Sequence, residues 1–388
     1  MKKVLVVMPS LYNGGAERSV VNLLNELPSD KYEVDLLLFK KEGMFLAQVP
    51  KWVNVLDTPK DLKRMYGKIA DSGLYTPWRL FGNAISSAVT SNSRQKRGHR
   101  WKYFYSKAIK QLEKEYDVAL AYISGEILYY VDEKVKAKKK IVWIHNDYRS
   151  AGHPRKYDYK HLKNMDAIVS ISDSCVDIMK DEFPEFADKT VMIENITSSV
   201  LTRERAEEFY PEEYSKDDMN LLSIGRLHEQ KGFDYAIEAA SILKKKNINF
   251  KWFIVGTGDL EQDLRSQIKQ CDVEDRVILL GGRSNPYPYI ANANIFIQPS
   301  RYEGKSVVLD ETKILGTPII ATAYPTVRDQ LEENKEGMIV DLDASSLADG
   351  IEKMLGDESI RNNIHMYLKE HEYGNQAEIK KYIDLFEK

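Results

Sequence analysis

Short unbroken apolar runs alternate along this chain with longer stretches whose apolar residues recur at helical spacing. The first run is Lys3–Pro9. A glycine-bearing turn, Ser10–Gly15, and a helical stretch, Ala16–Leu27, follow it. Runs of the same kind occupy Tyr32–Phe39, Val53–Asp57, Asp117–Ser124, Lys139–His145, Ala167–Ser172 and Thr190–Asn195. Runs apolar at consecutive positions, rather than at every second one, are expected where helices cover both faces of a sheet. The alternation of strand and helix therefore predicts a doubly wound parallel sheet.

The second half repeats the pattern. Strands are predicted at Asn220–Ile224, Phe250–Val255, Arg276–Leu280, Asn294–Gln298, Pro318–Ala321 and Gly337–Val340. Helices are predicted near Gly232–Lys245, Leu260–Cys271, Pro288–Ala293, Ser306–Leu315, Val327–Glu333 and Ser346–Leu355, with an amphipathic tail, Ser359–Lys388, that breaks near Gly374. Two segments depart from the rhythm. Asp57–Tyr116 is long, aromatic and basic, and reads as a mostly helical elaboration. Thr197–Asp218 is polar and acidic, lacks a convincing strand, and reads as a linker. The expected fold class is α/β, with two Rossmann-like doubly wound parallel-sheet domains facing across a cleft, residues 1–200 and 201–372. Ligands of such sheets bind beyond the carboxyl ends of the strands, so polar residues just after strands are the candidates.

Composition narrows the class. The 388 residues are 43% hydrophobic and 30% charged, as in a globular protein with ample core. The formal charge of −3 does not suggest a nucleic-acid binder. Cys175 and Cys271 stand alone, which fits a reducing cytoplasm and excludes a cysteine metal site. Histidines are scattered, so no metal site is expected. Asp341-Leu342-Asp343 has a spacing used by some metal-dependent sugar transferases, but it follows the last strand. The apolar start, Val4–Met8, is too short for a signal peptide, and no run is long enough to span a membrane.

The most informative stretch is Ser300–Thr322, SRYEGKSVVLDETKILGTPIIAT. It reads as strand end, loop, helix and strand. Glu303 sits in the loop and Glu311 about a turn and a half into the helix. Between them lie the free N–H groups of a helix start, suited to an anion, with hydroxyl-rich groups gripped on either side. A sugar joined through a diphosphate to a nucleoside has that shape. Acids at a helix start also stabilise its dipole, which would explain either glutamate singly. Arg226 and Lys231, in GRLHEQKG, follow a strand and open a helix. A cation at a helix start opposes the dipole, and a bound diphosphate would supply its reason. Gly14 and Gly15 permit a tight turn and close approach of a phosphate or sugar, or else serve a connection needing positive φ. No G-x-G-x-x-G and no G-x-x-x-x-G-K-[ST] is present. His145 ends its strand facing the expected cleft, placed to donate a hydrogen bond to a sugar hydroxyl, with Asp147 beside it to orient it or take a proton. Ser172 and Asn195 end later strands. A helix cap and a turn are the plainer readings of those two.

Together GGAER, the strand-end His145, GRLHEQKG and the E-x₇-E pair in YEGKSVVLDE resemble glycosyltransferase family 4, the retaining GT-B group of bacterial polysaccharide and lipid glycosylation. The resemblance spans nearly the whole chain. It implies Arg226 and Lys231 on the donor diphosphate, Glu311 on the ribose hydroxyls and Glu303 on the transferred sugar. Backbone amides of Gly304, Lys305 and Ser306, continuing to Val307, would meet the sugar and distal phosphate. Arg283 lies where the family contacts the nucleobase, largely through backbone. The final helix, within 373–388, would return to the first domain, anchored by Tyr382–Phe386. Lys305 departs from the family, where an aromatic or small residue is common, and that loosens any inference about the donor sugar.

The reaction so implied moves a hexose or N-acetylhexosamine from a nucleotide-diphosphate sugar to a polysaccharide or lipid-linked oligosaccharide, with uridine favoured only by family frequency. It proceeds by front-face substitution with no metal and no cofactor. Arg94–Tyr105 interleaves basic and aromatic residues, and Lys134–Lys140 is a second basic run. They suggest contact with an anionic membrane surface, or a solvated face. A cytoplasmic location, peripheral at the inner face of the plasma membrane, would follow. The rival readings are a nucleotide-sugar epimerase and a non-catalytic nucleotide-sugar-binding protein.

Overall fold

A computed structural model describes residues 1–388 apart from Asn13, Ser150, Lys216, Asp217, Gly304 and Lys388. It divides into two units, Met1–Ile196 with Ala377–Lys388, and Thr197–Gln376.

The first unit is built on a parallel sheet of β1 (Lys2–Met8), β2 (Tyr32–Leu38), β3 (Asn54–Val55), β4 (Glu115–Ala121), β5 (Lys136–Ile144), β6 (Ala167–Ser170) and β7 (Thr190–Met192). Their order is β3-β2-β1-β4-β5-β6-β7. β1 pairs in parallel with both β2 and β4, so the winding reverses between β1 and β4. The unbroken apolar character of β1 has a direct cause. Leu5 and Val7 join one core with Trp101, Tyr129 and Leu162. Val4, Val6 and Met8 join another, with Val20 and Leu24 of the first helix, Gly15–Glu26.

The chain's last helix, Ile379–Glu387, closes that second core. Tyr382 is fully buried, stacks on Trp143 with ring centroids 5.1 Å apart, and donates to the Glu194 carbonyl at 3.1 Å. Phe386 meets Tyr32 edge-on at 5.9 Å.

The second unit repeats the plan with β8 (Asn220–Ile224), β9 (Lys251–Val255), β10 (Val277–Gly281), β11 (Ile295–Gln298), β12 (Ile319–Thr322) and β13 (Gly337–Val340), in the order β10-β9-β8-β11-β12-β13. Its winding reverses between β8 and β11. Ile295 and Ile297 face one core, and Phe296 the other.

One of the expectations needs correction. The acidic stretch after Thr197 is no linker. Ser198 caps a helix, Ser199–Ala206, and Tyr214 is buried against Phe253, its hydroxyl donating to the Tyr289 carbonyl at 3.0 Å. In the basic-aromatic segment Arg94–Tyr105, Trp101, Phe104 and Tyr105 are buried, while Tyr103 is exposed. Of the Asp-Leu-Asp pair, Asp343 caps the helix Ala344–Gly356 through the Ser346 amide and hydroxyl.

Candidate functional site

Open parallel sheets bind ligands where the winding reverses, because the two neighbouring strand-end loops diverge there. In the second unit that place lies past β8 and β11. Arg226 follows β8. Lys231 ends a single 3₁₀ turn, Glu229–Lys231, and Gly232 then enters the helix Phe233–Lys245 with φ 63°. A Cβ on Gly232 would stand 1.9 Å from the Pro299 carbonyl oxygen, so no other residue fits. This contact ties the loop after β8 to the loop after β11.

Glu303, in the loop after β11, is nearly buried and firmly held. Its Oε1 receives Lys231 Nζ at 2.6 Å and the Ser300 hydroxyl at 2.7 Å. Its Oε2 receives Gln230 Nε2 at 3.3 Å. Its carbonyl receives the Thr326 hydroxyl at 2.9 Å. The structure thus brings together Lys231 and Glu303. The Arg226 side chain is exposed and makes no hydrogen bond or ion pair among the described residues. Two of the cleft expectations, a loop carboxylate and a cation at a helix start, are therefore a single ion pair.

The helix Val307–Leu315 begins beside this pair. Its start is more occupied than expected. The Ser306 amide donates to Gln330 Oε1 at 2.6 Å, and the Ser306 hydroxyl to Gln298 Oε1 at 2.9 Å. That amide is not open to a ligand, because the Gln330 carboxamide fills the position. Lys305 is exposed and Val307 half-buried, while Gly304 lies outside the described residues. Glu311 is fully buried and accepts from the Tyr287 hydroxyl at 3.0 Å. Arg283 follows β10, but its guanidinium is spent on the Leu280 carbonyl at 2.7 Å, Glu213 at 2.8 Å and Tyr289 at 3.0 Å. Burial works against the Glu213 charge, but the hydrogen bonds from Arg283 and Tyr289 hold its carboxyl below the usual range.

Sequence reasoning missed Gly256, Thr257 and Gly258, the turn after β9. A Cβ at Gly256 would stand 1.8 Å from the Gly225 carbonyl, and one at Gly258 2.3 Å from that of Leu227. Leu227 also donates to the Thr257 carbonyl at 3.0 Å. These glycines let the β9 turn lie against the Arg226 loop. The signal was available in G-T-G directly after a strand. Gln230, Ser300 and Gln330 were also missed, and nothing in their spacing marks them.

The first unit has its own opening at its reversal point, past β1 and β4. A cavity of about 480 Å³ is lined there by Pro9, Ser10, Ser124, Gly125 and His145, with Arg94 and Arg97 on another wall. Gly14 caps the first helix at φ −92°, and Gly15 opens it. Neither has positive φ, and a Cβ on Gly15 would meet nothing. The backbone therefore does not demand glycine here: Gly15 faces open space, and a Cβ on Gly14 would stand 2.1 Å from the Glu17 carboxylate, the far end of a flexible side chain. His145 Nε2–H donates to the Tyr122 carbonyl at 2.9 Å, and its Nδ1 is buried. Burial pushes its pKa down to about 4, against the pull of the Tyr122 carbonyl and the Asn195 side chain. The expectation that His145 donates to a ligand is corrected: its donor is used internally, and the neutral ring has only an acceptor left.

Asn195 accepts from the Ser19 hydroxyl at 2.8 Å. Asp147 accepts from the Arg149 amide at 2.8 Å in a local turn. Ser172 caps the helix Asp173–Glu182 through the Cys175 amide at 3.3 Å. Among the described residues no three His, Cys, Asp or Glu side chains gather as a metal site.

Against known proteins, residues 204–371 match the family model described as glycosyl transferases group 1. The second unit is thus similar to the group 1 glycosyltransferase domain. The match covers the second unit almost end to end, including Arg226, Lys231, Glu303 and Glu311. An uncharacterized glycosyltransferase of Haemophilus influenzae is 23% identical over 384 residues, 95% of this chain and 93% of its own. A Campylobacter jejuni enzyme, N-acetylgalactosamine-N,N'-diacetylbacillosaminyl-diphospho-undecaprenol 4-alpha-N-acetylgalactosaminyltransferase, is 32% identical over 152 residues, 39% of this chain and 41% of its own. Among solved structures, Anabaena HepE with UDP-glucose superposes with a TM-score of 0.66 at 16% identity, over 99% of this chain and 98% of that one. Two Rossmann-like parallel-sheet units make this a GT-B fold, and the glycosyltransferase is an enzyme of the class its sequence pointed to.

Proposed function

We propose that this glycosyltransferase is a retaining member of family 4. It moves a hexose or N-acetylhexosamine from a uridine-diphosphate sugar to a polysaccharide or lipid-linked oligosaccharide. The observation that carries this reading is the Lys231–Glu303 pair beside the start of the helix that bears Glu311, past β8 and β11, with Arg226 in the loop after β8. The names of the Campylobacter enzyme and of the UDP-glucose complex support the donor and acceptor classes.

The difficult event is cleavage of the anomeric C–O bond, which leaves its electron pair on the distal phosphate. Arg226 and Lys231 stabilise that charge together with first-turn amides of the helix beginning at Val307. Glu303, held by Ser300 and Gln230, keeps its carboxylate in place for the sugar hydroxyls. Glu311 serves the ribose, and donor binding uncovers it from Tyr287. The acceptor oxygen attacks from the face the diphosphate leaves, and its proton passes to the departing phosphate oxygen, so configuration is retained. The acceptor occupies the first unit's cavity, where His145 Nδ1 accepts a hydroxyl. These charges need no divalent cation and no cofactor to balance the diphosphate. The enzyme works in the cytoplasm and at its membrane face. A donor-binding protein without transfer would bind the same nucleotide and form no product.

The test is turnover of UDP-sugars by intact protein, with product configuration read by NMR. Arg226→Ala and Lys231→Ala are each expected to lose activity by roughly 10–100-fold, the worth of one charge-assisted contact, and EDTA to leave the wild type unchanged. Near-normal turnover in both variants sinks the reading.

A further inference from the structure

Nine of the sixteen exposed large apolar side chains among the described residues lie between Ile69 and Tyr103. The helix Thr76–Val89 carries Trp78, Phe81, Ile85 and Val89 at spacings of three and four, which places them on one face. Phe81 is 57% exposed and Val89 60%. Leu74, in the turn that enters this helix beside Gly73 at φ 50°, is 99% exposed. The helix buries only Gly82 and Ser86, and Trp78 and Phe81 rest one edge on Phe104. A contiguous apolar face of this kind marks a contact surface.

Its electrostatic setting identifies the contact. Residues 60–110 hold twelve Lys and Arg against two Asp, in a chain of formal charge −3. Exposed cations border both ends of the stripe. Arg64 lies over the Tyr75 ring at 5.2 Å, next to Leu74. Lys102 lies over Tyr103 at 4.9 Å, and Tyr103 stacks on His99, which bonds Ser86 of the stripe helix at 3.0 Å. A second copy of this surface would bring like charges together. A lipid surface with anionic headgroups offers phosphates to the rim and hydrocarbon to the stripe. We infer that the hairpin Ile69–Tyr105 docks the protein on an anionic membrane, inserting Leu74, Trp78 and Phe81. The expected membrane contact through Arg94–Tyr105 is thereby extended: Trp101, Phe104 and Tyr105 pack inward, Lys102 and Tyr103 form part of the rim, and the neighbouring helix supplies the apolar insert. The same Ser93–Arg100 helix that supports the stripe carries Arg94 and Arg97 in the cavity wall, so docking brings that cavity to the lipid.

The full-length protein is sedimented with phosphatidylcholine vesicles, with and without phosphatidylglycerol, across a salt series. Wild type is expected to bind only the anionic vesicles, less tightly as salt rises, with Trp78 quenched by brominated lipid acyl chains. Leu74→Gln with Phe81→Gln is expected to weaken partitioning by at least about tenfold while UDP binding is kept, because both side chains are exposed. Indifference of the wild type to anionic lipid, unquenched Trp78, or equal binding by the double variant overturns the inference. So does a concentration-dependent dimer that the double variant abolishes. UDP binding, unaffected by these outcomes, keeps this test separate from the donor reading.

Discussion

Replacing Lys231 with Met is expected to destabilise the second unit before any substrate is present. The Nζ–Oε1 distance is 2.6 Å, with Lys231 20% and Glu303 8% exposed. Stripping one partner from a fully buried pair costs about 3–5 kcal/mol, because a charge is left behind in poor solvent. Here Glu303 keeps the Ser300 hydroxyl and the Gln230 carboxamide, and Lys231 is partly solvated, so the cost falls to about 2–3 kcal/mol. For a unit of this size that shifts the thermal midpoint down by about 5–10 °C. Glu303→Gln, which keeps an oxygen acceptor for Lys231 and the Ser300 hydroxyl and loses only the long contact from Gln230 at 3.3 Å, is expected to cost only about 1 kcal/mol. Groups in direct contact are not additive, so the double variant should be more stable than the sum of the single effects by about 1–2 kcal/mol. In calorimetry the two units are expected to melt as separate transitions, and urea denaturation gives the free energies. A midpoint for Lys231→Met within about 1 °C of wild type, or strict additivity in the cycle, would refute the reasoning.

His145 gives a pH prediction. Its pKa in the folded protein, about 4, lies below the ordinary histidine value, so the unfolded chain binds the extra proton. Stability is therefore lost as pH falls from about 6.5 to about 4, and His145→Gln should flatten the urea midpoint across that window. An unchanged slope would show that another group carries the acid sensitivity. Tyr382→Ala removes a fully buried ring stacked on Trp143, at about 3–5 kcal/mol, and should lower the first unit's thermal midpoint by roughly 10 °C while sparing the second. Loss in both transitions alike, or in neither, contradicts the placement of that helix in the first core.

The strands were legible because burial on both faces leaves no polar position to confuse the period, as in Lys2–Met8 and Ile295–Gln298. The segment after Thr197 was misread because a short amphipathic helix and one buried tyrosine give no run long enough to register. The Arg94–Tyr105 aromatics were legible in kind and not in direction. Trp101, Phe104 and Tyr105 turn inward through a π-helical turn, Trp101–Tyr105, that ordinary helical periodicity does not anticipate. At the site, residue types at strand ends pointed to Glu303 and Lys231. Their direct pairing was not readable, since it depends on Gly232 bringing two loops within contact across 72 residues of sequence. The Gln330 carboxamide on the Ser306 amide was equally out of reach, 24 residues away on a later loop.

On the donor role proposed above, that pairing would constrain how a diphosphate arrives. Lys231 is already neutralised by Glu303, whereas Arg226 has no partner among the described residues and stands exposed. An approaching dianion therefore meets Arg226 first. It can recruit Lys231 only by sharing it with Glu303, whose charge then leans on Ser300 and Gln230. In that proposal the ion pair supplies a second cation when the leaving charge develops. In the function proposed above, Arg226 would thus govern capture, and Lys231 would contribute most where negative charge is greatest. Interactions that strengthen between the bound donor and the transition state raise turnover rather than affinity alone. On this argument Arg226 acts chiefly on KM and Lys231 chiefly on kcat, a division that follows from one side chain being paired in the free enzyme and the other not.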